Sequence, residues 1–245
     1  MKSAAWNQFT QAKEHYRREL QKLNRKLPQL RALQQQMVNS RSPSYTVETP
    51  IVYNEALDDV RADSEIRLIL VADNPGRREQ AAENRRYLVG PSGKIAEKFF
   101  RDKPALNIDF RKNVIILNKT PIHTPRTVEL RALFRLGGAA LETALVKSQR
   151  TMARLLLEFH QALFTPVWII GYSEMKKGGI FEAYTNELKT LYNGNGTKLR
   201  NSVFLYRHFS MNQFTIDLKQ QTRRGEPLDK ALERIGTAYR ERFLW

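Results

Sequence analysis

The chain alternates short apolar runs with longer segments in which apolar residues recur at helical spacing. The apolar runs predict four strands, at residues 67–71, 113–117, 166–170 and 203–206. The helical pattern predicts helices at about 93–101, 127–136, 148–163 and 180–192, and a terminal helix within 218–244 after a polar loop with Gly225 and Pro227. Strands that alternate with helices indicate a three-layer α/β/α sandwich with a short central parallel sheet.

Residues 1–40 form a basic segment with its own helical pattern, which Pro28 interrupts. This predicts a kinked or broken helical arm that ends near Pro43. We therefore expect an N-terminal arm over 1–42 and one α/β/α domain over 43–245. Two interpretations of the arm stay open: helices packed on the domain with a solvated basic face, or a dedicated DNA-binding arm.

Composition narrows the class of protein. The chain has 245 residues, of which 41% are hydrophobic, so it can bury a full core. It has no apolar run of the length that a membrane span needs, and its start lacks the order of a signal peptide, so we expect a soluble cytoplasmic protein. The absence of cysteine excludes disulfides, thiol catalysis and cysteine-held zinc or iron–sulfur clusters. The four histidines lack metal-ligand spacing, and we expect no metal and no cofactor.

The charge balance favours a polyanionic partner. There are 41 Lys and Arg residues against 25 Asp and Glu residues, a net charge of +16. Nucleic acid is the first candidate partner, while a basic surface that serves only solubility is the alternative. Paired basic residues beside predicted loops favour nucleic acid; they are Arg17-Arg18, Arg77-Arg78, Arg85-Arg86, Lys176-Lys177 and Arg223-Arg224.

Two predicted strands end abruptly in polar residues. Asp73 and Asn74 follow the first strand, and His208 follows the last. Because parallel strands deliver such residues to one cleft, a carboxylate, a carboxamide and an imidazole are expected to converge. This set suits hydrolysis of a bond to a leaving base. Each residue also has an ordinary alternative: Asp73 as a helix N-cap, Asn74 as part of a turn and His208 as a histidine satisfied within the core.

Five segments together resemble the uracil-DNA glycosylase superfamily, over about residues 65–215. Residues 72–76 (Ala-Asp-Asn-Pro-Gly) resemble its first motif, and residues 208–212 (His-Phe-Ser-Met-Asn) resemble its last. Residues 87–93 are similar to a loop of its thermostable branch, and residues 114–118 to the strand whose terminal Asn reads uracil. Residues 168–171, with 176–178, are similar to a strand and turn of the classical branch. The resemblance implies that family's α/β/α fold and a DNA glycosylase that acts on a flipped uracil-like base in base excision repair.

The chemistry assigns the candidate catalytic residues. We expect Asn74 to position the attacking water, and Asp73 to supply negative charge near the sugar or to act as the base. A neutral His208 is expected to donate a hydrogen bond to the leaving base. Asn118 offers a donor and an acceptor that complement the N3–H and O4 edge of uracil; its ordinary alternative is a cap of the following segment.

The resemblance adds residues around these four. Ala72 and Leu88 lie where the family has the first-motif Gly and the Phe that stacks on the base. The expected DNA contacts are Ser92, Gly93, Arg207, Ser210, Met211 and Asn212.

The chain departs from the family at several motif positions. Phe209 and Met211 replace the prolines of the last motif, and Ala72 and Leu88 also differ. The leading expectation is a monomeric, monofunctional glycosylase. One alternative is a DNA-binding protein on the same scaffold that has reduced or lost catalysis, and another is a protein that binds an acidic protein partner.

Overall fold

A computed structural model describes all residues, 1–245, and contains a four-stranded, all-parallel sheet. The strands are β1 (Leu68–Ala72), β2 (Val114–Asn118), β3 (Val167–Ile170) and β4 (Val203–Tyr206). Their order across the sheet is β2-β1-β3-β4. All four predicted strands are confirmed to within one residue, and so is the parallel α/β class. β1, β2 and β3 are fully buried runs rich in β-branched residues and leucine, since helices cover both faces of the sheet.

Eight α-helices surround the sheet. They are α1 (Ser3–Lys26), α2 (Leu30–Asn39), α3 (Pro91–Arg101), α4 (Glu129–Leu163), α5 (Glu182–Gly194), α6 (Thr197–Asn201), α7 (Gln213–Gln221) and α8 (Leu228–Phe243). Short 3₁₀ turns lie at Glu55–Asp58, Pro104–Leu106, Tyr172–Met175 and Ser210–Asn212. None of the helices combines the length and the apolar character that crossing a bilayer requires.

Alternate strand residues enter two separate apolar clusters. On β1, Ile69 and Val71 join one cluster, which includes residues of α1, α4 and α5. Leu68 and Leu70 join the other, which includes residues of α3, α7 and α8. This two-residue alternation places the clusters on opposite faces of the sheet.

The N-terminal helices belong to the first of these clusters. Phe9, Ala12 and Tyr16 of α1 are fully or almost fully buried in it. The helical conformation is interrupted between Lys26 and Leu30, around Pro28, as predicted. Of the two interpretations given above, the structure shows helices packed on the domain.

Two helix boundaries differ from the sequence prediction. The predicted gap between 136 and 148 is helical from residue 139 onward, with a break only at Gly138 (φ 65°, ψ −168°). Leu141 and Leu145 are buried there, and they extend the apolar stripe of α4 toward Met152. The region after β4 forms two helices rather than one, α7 and α8, separated by residues 222–227.

Candidate active site at the carboxyl edge of the sheet

Backbone hydrogen bonds join the strand ends in two pairs at one edge, and β1 pairs with β3 between them. Ala72 lies opposite Asn118 in the β1–β2 register. The Lys119 N–H donates to Ala72 O at 2.9 Å, and the Gly171 N–H donates to Tyr206 O at 2.9 Å. The residues that follow the strands therefore share one edge, as the sequence predicted.

Asn74 is held by its amide nitrogen. Its Nδ2 donates to Thr124 Oγ1 at 2.9 Å, while its Oδ1 has no protein partner. The half-buried side chain thus keeps one acceptor for a ligand or a water molecule.

His123 supports the same loop from inside the protein. Its Nδ1–H donates to Pro75 O at 2.8 Å, and its Nε2 accepts from Tyr45 Oη at 2.9 Å. Burial lowers the pKa of His123 to about 4, so the imidazole is neutral at pH 7. Sequence reasoning gave His123 no role, because nothing in its neighbours distinguishes it from an ordinary loop histidine.

Asp73 is paired with a lysine that sequence reasoning missed. Lys119 is fully buried, and its Nζ donates to Asp73 Oδ1 at 2.5 Å and to Ile170 O at 2.6 Å. Gly171 makes room for the carboxylate: a Cβ there would lie 2.8 Å from Asp73 Oδ1, and the backbone has φ +81°. The one available signal was the position of Lys119, directly after a strand that ends in Asn118.

His208 presents one ring nitrogen outward. The Ser210 N–H donates to His208 Nδ1 at 3.0 Å, so the proton of the neutral ring is on Nε2, which has no protein partner. Burial lowers the pKa of His208; Asp73 raises it and Lys119 lowers it further. The ring is therefore a neutral donor at pH 7.

Asn118 ends β2 with an unsatisfied amide. The residue is 1% exposed, and its Nδ2 is buried without a hydrogen-bond partner. Leaving such a donor unpaired costs about 1–3 kcal/mol, so the arrangement favours a ligand that accepts from it. Ala72, its register partner, is buried beside it.

Leu88 packs into the apolar cluster on one face of the sheet rather than standing free. It is 4% exposed and has φ 52°. The helix α3 begins directly against it, because Gly93 has no Cβ; one there would lie 1.6 Å from Leu88 O. Ser92 and Gly93 occupy the first turn of α3, where backbone N–H groups are free to meet an anion.

Glu79 is a third buried group that sequence reasoning missed. Its two carboxyl oxygens accept from the Leu88 N–H at 2.9 Å and the Gly76 N–H at 3.0 Å. Burial raises the pKa of Glu79 to about 7, although these two hydrogen bonds oppose the shift. The side chain ties the Asn74 loop to the Leu88 loop.

Of the predicted DNA contacts after β4, some are exposed and one already has an acidic partner. Met211 is 80% exposed, and both it and Asn212 adopt left-handed backbone conformations. Arg207 contacts Asp217 at 3.3 Å. Phe209, in place of a family proline, is fully buried and stacks on Phe214 with ring centroids 4.3 Å apart.

Exposed basic residues without an acidic partner flank this edge. Arg77 and Arg78 follow the Asn74 loop, and the Arg77 guanidinium lies over the Tyr45 ring at 4.8 Å. Lys176 and Lys177 follow β3. No group of three or more His, Asp or Glu side chains is arranged to hold a metal ion.

Comparison with known proteins adds no family assignment. No protein-family profile matches the chain, and no curated protein matches it in sequence.

Proposed function

We propose that the protein is a DNA glycosylase that hydrolyses the N-glycosidic bond of uracil, or of a closely related base, flipped out of DNA. The observation that carries the proposal is the unpartnered, buried amide of Asn118 at the edge where His208 keeps a free Nε2–H. The fold proposed with it is of the uracil-DNA glycosylase type. The four-stranded parallel sheet is consistent with that fold.

Asn118 reads the flipped base in this proposal. Its Nδ2 donates to O4 of uracil and its Oδ1 accepts from N3–H. Cytosine presents an amino donor and an unprotonated nitrogen at the same positions. Its amino group would then face the Asn118 Nδ2 donor, and its ring nitrogen would face the Asn118 Oδ1 acceptor. Desolvation of the site makes each such mismatch costly.

The bond to the base breaks with the electron pair leaving on the base. His208 Nε2–H donates to the base carbonyl O2 and stabilises the anion that forms. The sugar develops positive charge, which the Asp73 carboxylate stabilises. A water that donates to Asn74 Oδ1 adds its oxygen to C1′ and releases its proton to solvent or to the departing base. The products are the free base and an abasic site.

The surface around the edge supports binding to a polyanion. The net charge is +16, and Arg77, Arg78, Lys176 and Lys177 stand beside the strand ends without acidic partners. Met211, exposed and held in a left-handed turn, fits the position of a side chain that enters the space left by a flipped base.

The test is base release from defined oligonucleotides. Single- and double-stranded substrates that contain uracil, and matched ones that contain thymine or cytosine, are incubated with the purified protein and then treated with alkali, which cleaves at abasic sites. The proposal predicts cleavage at uracil above both controls. Equal cleavage at uracil, thymine and cytosine would contradict it.

A second candidate function is DNA binding without excision. Two observations favour it: Leu88 is buried in the apolar cluster, and Phe209 is fully buried against Phe214. Neither side chain is available to stack on a base. Strong DNA binding with no release of any tested base would select this candidate.

A further inference from the structure

The mechanism proposed above leaves one buried charge unused. Lys119 has no exposed side-chain surface, and its ammonium contacts Asp73 Oδ1, Ile170 O and the face of the Phe181 ring, the last at 5.1 Å. Burying an ammonium costs several kcal/mol unless its partners compensate. A leucine or methionine would fill such a core position without that cost, so the charge itself calls for a reason.

The surroundings of Asp73 give a reason for the buried charge of Lys119. Oδ1 is held by Lys119, while Oδ2 has only a long contact, 3.3 Å from Thr127 Oγ1. Asp73 and Lys119, which follows the end of β2, are the charged side chains that act on His208 after β4, so these three groups share one region. Gly171 leaves open the space that the carboxylate occupies.

We propose that Lys119 is a positioning residue that fixes the Asp73 carboxylate at the strand ends, where the sugar would lie. The inference rests on the proposed function, because only a substrate that develops positive charge near Asp73 uses that carboxylate. Ile170 O, at the end of β3 on the other side of β1, anchors the ammonium, so the lysine fixes where the carboxylate points. A lysine with a purely structural role would affect stability and leave the rate of base release by the folded protein unchanged.

The absence of cysteine from the chain permits a test of charge alone. Lys119→Cys is alkylated in denaturant and refolded. With 2-bromoethylamine the thiolate displaces bromide and yields an aminoethyl thioether, which restores an ammonium at nearly the length of lysine. With 2-bromoethanol the same displacement yields a neutral hydroxyethyl thioether of matched size.

Two readouts compare the adducts. Urea unfolding shows how much each adduct destabilises the fold, and single-turnover kinetics show how fast each adduct releases uracil. Uracil release should be about tenfold to hundredfold slower in the neutral adduct and restored in the aminoethyl adduct. Equal release rates in the two adducts would overturn the proposal. If the wild type releases no base, the proposed function itself fails, whereas release by the wild type with equal rates in the two adducts contradicts only the role of Lys119.

A second set of variants covers the case in which the neutral adduct does not fold. Asp73→Asn with Lys119→Met removes both charges together, which leaves no unpaired ion in the core. If Lys119 acts through Asp73, Lys119→Met slows excision no further in the Asp73→Asn background. A further tenfold loss there would show an independent role and contradict the proposal.

Discussion

Asn118 and His208 each carry a hydrogen-bond donor without a protein partner, and each is positioned by the way its strand ends. Both residues, with Asp73 and Asn74, could be picked out from the sequence because polar side chains follow buried apolar runs. Lys119, Glu79 and His123 could not, since their importance comes from burial and from partners distant in the sequence. A single sequence does not reveal which charged residues will be buried.

Asn118→Asp tests base reading. The substitution removes the donor to O4 and adds an acceptor, so uracil release should fall sharply while discrimination against cytosine narrows. Each buried mismatch is worth about 1–3 kcal/mol. Single-turnover release of both bases is measured for the wild type and the variant. An unchanged ratio of the two rates would remove Asn118 from base reading.

Glu79→Gln tests the buried carboxyl that joins the two loops. Because the folded-state pKa of about 7 lies above the ordinary glutamate value of 4.5, the native protein retains a proton that the unfolded chain releases. The wild type therefore loses stability as pH rises from about 4.5 to about 7, by about 3 kcal/mol from this group.

Urea unfolding of both proteins across this range gives the measurement. The variant lacks the titrating group. As the pH rises from about 4.5 to about 7, the free energy of unfolding of the variant minus that of the wild type should therefore increase by about 3 kcal/mol. The comparison cancels the contribution of His123, which both proteins share. A constant difference across the range would show that Glu79 titrates normally.

At the scale of elements, the strands were the most predictable part of the chain. Each is a short apolar run bounded by polar residues, so its position and its parallel pairing follow from the pattern. The length of α4 was less predictable, because the Gly-Gly pair at 137–138 resembles a helix end, yet Leu141 and Leu145 keep the next turns packed. The sequence does not decide how α1 packs, because a basic helix with an apolar stripe suits either a core or an arm.

Phe9→Ala tests whether α1 is part of the domain. Phe9 is fully buried and packs against Phe159 of α4, with ring centroids 5.4 Å apart. Its loss should lower the free energy of unfolding by about 3–5 kcal/mol. Lys22→Ala on the exposed side of the same helix is the control and should have little effect, since the Lys22 side chain is 63% exposed. If both variants unfold like the wild type, α1 is an appendage.

At the scale of the whole molecule, the charge of +16 is the dominant property, and it predicts DNA binding through phosphate groups. This expectation follows from composition alone, but composition does not say which basic residues stay free of acidic partners. The structure distinguishes Arg77 and Arg78 from pairs such as Arg207 with Asp217.

Salt dependence measures how many phosphates the protein neutralises. The logarithm of affinity should fall linearly with the logarithm of salt concentration, at about 0.9 per phosphate neutralised. A double variant that combines Arg77→Ala and Arg78→Ala should have a flatter slope. The change should be about 0.9 for each phosphate that these two side chains neutralise in the wild type. Lys112→Ala is the control, because Lys112 is 82% exposed and precedes β2, at the opposite edge of the sheet. Equal slopes for all three proteins would place the DNA elsewhere.

Single-turnover release of uracil from DNA by the wild type, Asn74→Ala and His208→Ala tests the central claim most directly. Each variant lacks one hydrogen bond made in the transition state, so each should slow release by about a hundredfold or more while DNA affinity and thermal unfolding stay close to those of the wild type. Excision by either variant at the wild-type rate would contradict the account.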